Sequence, residues 1–313
     1  MTEHYPRVRV QSTHGALLIR DALSFTFYLR HPHAEIAQKV MRSFESYLRV
    51  IGGREKLSLY SEEAGAWLKL DAARGETLHQ EFLDPERARI HLVDASDNER
   101  RYQFNYDGKR IGHPALAREP GAVSAVSFWL PTEYLAEHGP SRLRELAMEL
   151  AAPLPFCSAH AGLAFNTNMS LVGMRRHSQE SRELCFRYPG LDIPDLSDRA
   201  WNVGTRVAAV SWLTFLGQPL LGELGGVAAL RSRLLSPGTT VQEMEAERAI
   251  ITLGPRPEAG DTEEGRALLP YRELASVLEP WLYFQKPPDN ISFSELAASD
   301  HEAVLRWQRR FLD

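Results

Sequence analysis

The feature that most constrains the fold is a strand–helix–strand order that recurs three times along the chain. Each strand alternates its side chains with a period of two, and each helix places apolar residues three or four positions apart. The three strand–helix pairs lie at 22–30 with 33–51, 123–130 with 140–151, and 207–216 with 220–234. Further strands are predicted at 57–60, 66–70, 90–93, 101–106, 156–165 and 249–253, and further helices at 75–83, 271–282 and 294–311. This order predicts an α+β fold of mixed sheets with packed helices.

The domain organisation follows from where the pattern restarts. A connection with two prolines, over residues 112–121, separates the first strand–helix pair and its following strands from the second pair. We therefore predict an N-terminal α+β subdomain over residues 1–112 and a C-terminal α+β subdomain over residues 121–313. One compact domain is the alternative. The recurring order also fits duplicated strand–helix–strand halves, although an α+β fold without duplication produces the same order.

Charge and cysteine content limit the class of protein. The chain has 36 basic and 41 acidic residues and a net charge of -5, which disfavours general nucleic-acid binding. Cys157 and Cys185 are predicted to be free thiols in a reducing compartment. The first residues lack an apolar signal-peptide core, and no apolar stretch reaches the length of a membrane span. We therefore expect a cytoplasmic protein.

Motifs for catalysis and cofactor binding are missing from the sequence. It contains no P-loop, no dinucleotide-binding glycine motif, no nucleophile elbow and no zincin motif. Restriction-endonuclease-like enzymes hold a divalent metal with an acidic residue and a (Asp/Glu)-x-Lys motif. The one lysine with an acid two residues before it is Lys109, and that acid, Asp107, precedes Gly108 in a pair that predicts a turn. We expect no catalytic residue, no metal and no cofactor.

Three short motifs resemble a bacterial family. They are RYPGLDI at 187–193, VSWLTFLG at 210–217 and LGG at 224–226. Over about residues 22–282 the chain is similar to the family long catalogued as domain of unknown function 3396, whose members are type VI secretion immunity proteins. The resemblance implies a protein that binds and neutralises a nuclease effector of the restriction-endonuclease-like superfamily and so protects the producing cell. The partner would be a protein, with no role for nucleic acid or membrane.

Three acidic clusters are the candidate toxin-binding residues. A nuclease presents a basic groove to phosphates, so an acidic partner would be steered to that groove and could occlude it. The clusters are Asp192, Asp195 and Asp198; Glu243, Glu245 and Glu247; and Asp261, Glu263 and Glu264. Trp201 and Trp281 are alternative anchors, although both are predicted to be buried in the core.

Two other functions are kept open by the residues. One is an enzyme that acts through an unrecognised pocket, and the other is an adaptor of the secretion apparatus. The sequence leaves the oligomeric state open.

Overall fold

A single large sheet dominates the computed structural model, which describes residues 5–11, 14, 17–61, 67–84, 88–94, 99–167, 179–245, 247–285 and 295–313. Within these residues eleven strands pair, and every pairing is antiparallel. The strands are β1 Arg9–Gln11, β2 Leu17–Leu29, β3 Leu59–Ser61, β4 Trp67–Lys69, β5 Ala88–Val93, β6 Gln103–Gly108, β7 Ser124–Pro131, β8 Ser158–Thr167, β9 Leu213–Leu216, β10 Thr239–Met244 and β11 Arg248–Leu253. The α+β class is confirmed, but the strands form one antiparallel sheet instead of the mixed sheets that we expected.

The strand order joins the two halves of the chain. It runs β10-β11-β9-β8-β2-β7-β6-β5-β3-β4, with β1 paired to β2. The 13-residue strand β2 lies between β7 and β8, which both come after the predicted connection at 112–121. The sheet therefore runs through both predicted subdomains, and the division into subdomains stays a prediction.

Nine helices within the described residues complete the fold. They are α1 His33–Ile51, α2 Ala72–Leu83, α3 Thr132–Ala151, α4 Gln179–Arg187, α5 Leu196–Asn202, α6 Leu220–Glu223, α7 Gly226–Arg233, α8 Leu269–Leu278 and α9 Glu295–Gln308. The predicted bounds of α1 are confirmed: Gly52 has a left-handed φ of 90°, and the amide of Gly53 donates to the carbonyl of Leu48 at 2.9 Å. α3 begins eight residues earlier than predicted and is kinked at Gly139.

One face of the sheet carries the main core. Phe27 of β2, Phe104 of β6 and Phe128 of β7 are fully buried there. Phe44 of α1 packs on Phe104 with ring centroids 4.2 Å apart, and Tyr47 donates its hydroxyl to a strand carbonyl, that of Trp129, at 2.7 Å. Each buried aromatic side chain contributes about 1.5–3 kcal/mol. Because side chains alternate along a strand, the opposite face carries different residues.

The opposite face of the central strands is polar. Ser24 and Thr26 of β2 are buried there, with their hydroxyl oxygens 3.2 Å apart, and Ser127 of β7 accepts a hydrogen bond from Trp129 Nε1 at 3.2 Å. Part of this face is covered by α5, whose Ala200 packs against β7 residues. The rest forms an open polar cleft over β4 to β8.

Several local predictions are corrected. Asp107 and Gly108 end β6 and form no turn, because Asp107 pairs with Arg89 of β5 and Ala125 of β7, and Gly108 pairs with Ala88 of β5. The predicted strand over 207–216 is regular only at Leu213–Leu216, and β10 is an additional strand that its mixed polar sequence did not reveal. Cys157 and Cys185 are confirmed as free, buried thiols. No helix in the described ranges is long and apolar enough to cross a membrane.

Candidate functional site

Asp192, the first residue of the first acidic cluster, lies inside the protein with 3% of its surface exposed. Its Oδ2 is 3.1 Å from Arg199 Nη1 and 3.3 Å from His160 Nε2. Its Oδ1 is 3.5 Å from Arg310 Nη2. The carboxylate is therefore enclosed by three nitrogen atoms of the same chain. The contact of Asp192 with the toxin stays a prediction.

The charges around Asp192 favour its ionised form. Burial alone would raise the pKa of Asp192, but Arg199, His160 and Arg310 hold it well below its usual range. Burial lowers the pKa of His160, so its imidazole is neutral near pH 7. Burial also lowers the pKa of Arg310 to about 10, which still leaves the guanidinium charged. The network is therefore an ionised carboxylate balanced by arginines.

Asp195 and Asp198 are half-buried and shape the start of α5. Asp195 is the N-cap residue, and its side chain accepts a hydrogen bond from the Asp198 amide at 3.0 Å. Asp198 accepts a hydrogen bond from the Tyr283 hydroxyl at 3.1 Å. Burial and the neighbouring Asp195 charge raise the pKa of Asp198. Both carboxylates are thus occupied by contacts within the chain.

Asp261 organises the loop that the sequence predicted to be exposed and acidic. It is 1% exposed, and its Oδ1 accepts from the backbone amides of Glu263 and Glu264 at 3.1 and 3.2 Å. Arg187 Nη2 lies 3.0 Å from its Oδ2. The carboxylate of Asp261 is therefore buried and engaged within the loop, and its contact with the toxin stays a prediction. The exposed Glu263 and Glu264 are paired with Arg187 at 2.5 Å and Arg266 at 2.7 Å.

The remaining cluster surrounds the tip of the β10–β11 hairpin. Glu243, Glu245 and Glu247 are all exposed, and within the described ranges no ion pair engages them. Glu247 is 3.5 Å from the Gln218 amide. The hairpin lies at the edge of the sheet, because β10 pairs with β11 alone. Of the three clusters, only this one presents all of its carboxylates to solvent.

The two candidate aromatic anchors differ in exposure. Trp201 is 41% exposed, contrary to the prediction of core burial, and its ring centroid is 4.5 Å from Lys109 Nζ. Trp201 lies in α5, whose short sequence LSDRAWN is mostly polar, and this polarity was the sequence signal for its exposure. Trp281 is half-buried, and its Nε1 donates to Glu223 at 2.8 Å.

The one Asp-x-Lys pair is an internal ion pair. Lys109 is 5% exposed, and its Nζ lies 2.5 Å from Asp107 Oδ2. Burial lowers the pKa of Lys109, while Asp107 opposes that effect. Among the residues that the structure describes, no three His, Cys, Asp or Glu side chains are grouped so that they could hold a metal ion.

Two motif glycines allow close backbone contacts. A Cβ on Gly190 would lie 2.1 Å from the carbonyl oxygen of Glu258, and a Cβ on Gly217 would lie 2.1 Å from that of Phe156. Their own amides donate to the carbonyls of Ala259 and Cys157, both at 2.8 Å. Glycine is therefore required at these two positions of the motifs at 187–193 and 210–217 because the backbone packs closely there.

Comparison with known proteins relates the chain to bacterial competition. A model of the family TsiV, described as type VI immunity for VRR-NUC, matches residues 39–311. The solved structure of the Pseudomonas aeruginosa T6SS protein PA0821 shares the fold, with a TM-score of 0.76 and 20% identity over 97% of this chain and 87% of that chain. No curated protein matches the sequence. The sequence also suggested TsiT as a related immunity protein, which stays a prediction.

Proposed function

The chain belongs to the TsiV family of type VI immunity proteins, and from that premise we propose that it binds and neutralises one cognate VRR-NUC nuclease toxin. The observation that carries the proposal is the family match, which runs from within α1 to the end of the fold. The proposed role uses a binding surface and needs no catalytic side chain in this protein. We place it in the cytoplasm, where the toxin would meet the nucleic acid of the producing cell.

The β10–β11 hairpin is the surface that we propose for toxin binding. A nuclease domain must offer positive charge to phosphates, so its substrate surface attracts an acidic partner. The carboxylates of Glu243, Glu245 and Glu247 are exposed and project from a hairpin that the sheet holds in place. The exposed pair Glu263 and Glu264 is already neutralised by arginines.

The backbone of the hairpin is supported from both sides. Arg231 Nε donates to the carbonyl of Val241 in β10 at 3.0 Å, and Arg144 Nη2 donates to the Gln242 side chain at 2.7 Å. β11 also pairs with β9 at four positions, which fixes the hairpin to the rest of the sheet. A preorganised hairpin loses little conformational entropy on binding, which favours affinity.

Co-expression tests the immunity role. Cells that express a VRR-NUC effector encoded beside this gene should grow when the protein is present, and the two proteins should co-purify as a stable complex. Growth arrest despite good expression of both proteins would contradict the role. An adaptor would instead bind several effectors, and an enzyme would protect without forming a stable complex.

Matched double variants test the hairpin surface. Glu243→Gln with Glu245→Gln should lower the association rate with the toxin about tenfold at low salt, and it should flatten the salt dependence. The control, Glu263→Gln with Glu264→Gln, removes the same charge from the arginine-paired loop and should change the rate much less. Equal effects of the two variants, or none from the first, would reject the hairpin while leaving the immunity role standing.

A further inference from the structure

We infer that the polar cleft on the face of the sheet opposite α1 and α3 binds a small molecule that carries an oxyanion, a carboxylate or a phosphate. It is lined by Arg89 and His91 of β5, by Trp67 of β4 and by Arg100, which precedes β6, together with Asp107 and Asp195. The cleft encloses about 400 Å³, within the range of small-ligand sites, roughly 300–1,000 Å³. The inference concerns a site distinct from the proposed toxin-binding hairpin.

The Arg100 guanidinium is held in the cleft over an aromatic ring, and Asp94 is the acid whose charge acts on it. It stacks over the Trp67 ring, with its Cζ 4.7 Å from the ring centroid, and no ion pair engages it in the described residues. Its backbone has a left-handed φ of 47°, a conformation that costs a residue other than glycine free energy. Burial lowers the pKa of Arg100, which shows that its charge is partly desolvated.

A buried amide pair fixes the backbone of Arg100. Asn166 Nδ2 donates to the Arg100 carbonyl at 2.6 Å, and Asn166 Oδ1 accepts from Gln103 Nε2 at 2.7 Å. Both amide residues are buried, at 5% and 9% exposure. The strained backbone is therefore maintained by its surroundings, which keeps the guanidinium over the cleft.

Two arginines lie close enough to His91 in the cleft for their charges to act on it. Arg89 is exposed and, within the described residues, has neither an ion pair nor a hydrogen bond. Burial lowers the pKa of His91, and the charges of Arg89 and Arg100 lower it further, while Asp107 acts against them. Two guanidinium groups that make no ion pair within the described residues match the paired oxygens of a carboxylate or a phosphate.

The cleft also contains hydrogen-bond acceptors. Asp107 lies directly across from Arg89 in the β5–β6 pairing and is ion-paired with Lys109, and Asp195 caps α5; both carboxylates line the cleft. The ligand class that fits this lining is an oxyanion with at least one N–H or O–H donor. The lining combines these polar groups with the rings of Trp67 and Trp129, which suits a ligand that also has an apolar part.

Calorimetric titration of the full-length protein with inorganic phosphate, and separately with succinate, tests the site. Binding of at least one probe is expected, with affinity falling at least about tenfold in both Arg89→Gln and Arg100→Gln, as expected when one charged hydrogen-bonding partner is lost. Arg118→Gln, which removes an exposed arginine outside the cleft, is the matched control. Preference for phosphate assigns a phosphate ester, and preference for succinate assigns a carboxylate.

Two results would overturn the inference: no heat of binding from either probe, or binding that Arg89→Gln leaves as strong as in the unchanged protein. Arg89 is exposed and its side chain makes no ion pair or hydrogen bond within the described residues, so its variant keeps the test valid if Arg100→Gln fails to fold. The Arg89→Gln variant should also bind the toxin normally, because six strands separate β5 from β10. Failure of the cleft and failure of the immunity role are thereby distinguished.

Discussion

Removing the carboxylate of Asp192 should destabilise the protein without changing what it recognises. In Asp192→Ala, Arg199 and Arg310 would lose their acidic partner while remaining buried, each with 8% of its side chain exposed. Leaving a buried charge uncompensated costs about 3–5 kcal/mol. For 313 residues, an unfolding entropy of about 2.1 cal/mol/K per residue converts this cost to a fall in Tm of about 5–8 °C.

Thermal unfolding followed by circular dichroism measures the effect. Glu279→Ala is the control, because it breaks an exposed pair with Arg309, whose side chains are 49% and 39% exposed. Surface pairs contribute about 0–1 kcal/mol, so the control should change Tm by about 1.5 °C or less. A parallel binding measurement below the unfolding transition should give an unchanged Kd for toxin with Asp192→Ala.

The reasoning fails if Asp192→Ala unfolds at the same temperature as the unchanged protein. A normal Tm combined with much weaker toxin binding would show that Asp192 contributes directly to toxin binding. A loss of Tm in the control as large as in Asp192→Ala would show that burial does not set the cost.

Two further predictions concern the fold. Burial lowers the pKa values of His33, His91 and His160, so the folded state binds fewer protons than the unfolded state below about pH 6.5. The unfolding free energy should therefore be constant from pH 8 to 7 and should decrease as the pH falls from 6.5 to 5.5. Chemical denaturation that shows the unfolding free energy rising as the pH falls over that window would contradict this. Gly190→Ala should lower stability by about 1–3 kcal/mol, because its Cβ would collide with a backbone oxygen. Gly75→Ala, within α2, should raise stability by about 0.5–1 kcal/mol, because its Cβ would have no neighbour closer than 3.7 Å. Equal Tm values for the two variants would refute the packing argument.

Local patterns predicted the helices better than they predicted the candidate site. The bounds of α1 follow from its apolar spacing and from Gly52, which are both local signals. The burial of Asp192 depends on Arg310, which is far away in the sequence, and that of Asp261 depends on Arg187. Neither partner can be inferred from the composition of an acidic cluster, because a charged residue has the same sequence signature whether it is solvated or paired inside the fold.

The arrangement of the strands in a single sheet could also not be predicted from local sequence patterns. The spacing of strands and helices gives their types, but the insertion of β2 between β7 and β8 is a long-range pairing. The polar alternation of β5, β6 and β7 indicated that one face of each strand differs from the other, yet only the strand order places Arg89, Asn105 and Ser127 on one side. The cleft could therefore not be predicted from any one segment.

The family motifs and the proposed recognition surface are linked through the sheet. The motif at 187–193 lies along β8, where the Asp192 amide donates to the Leu163 carbonyl at 2.9 Å. The motif at 210–217 includes β9, which pairs with β8 on one side and with β11 on the other. β11 in turn holds β10 and the exposed hairpin glutamates. The residues that carry the sequence resemblance thus build the support of the hairpin, while the exposed glutamates that we propose to contact the toxin lie at its tip. A change of toxin specificity is therefore expected to require substitutions at Glu243, Glu245 and Glu247 and none within the motifs.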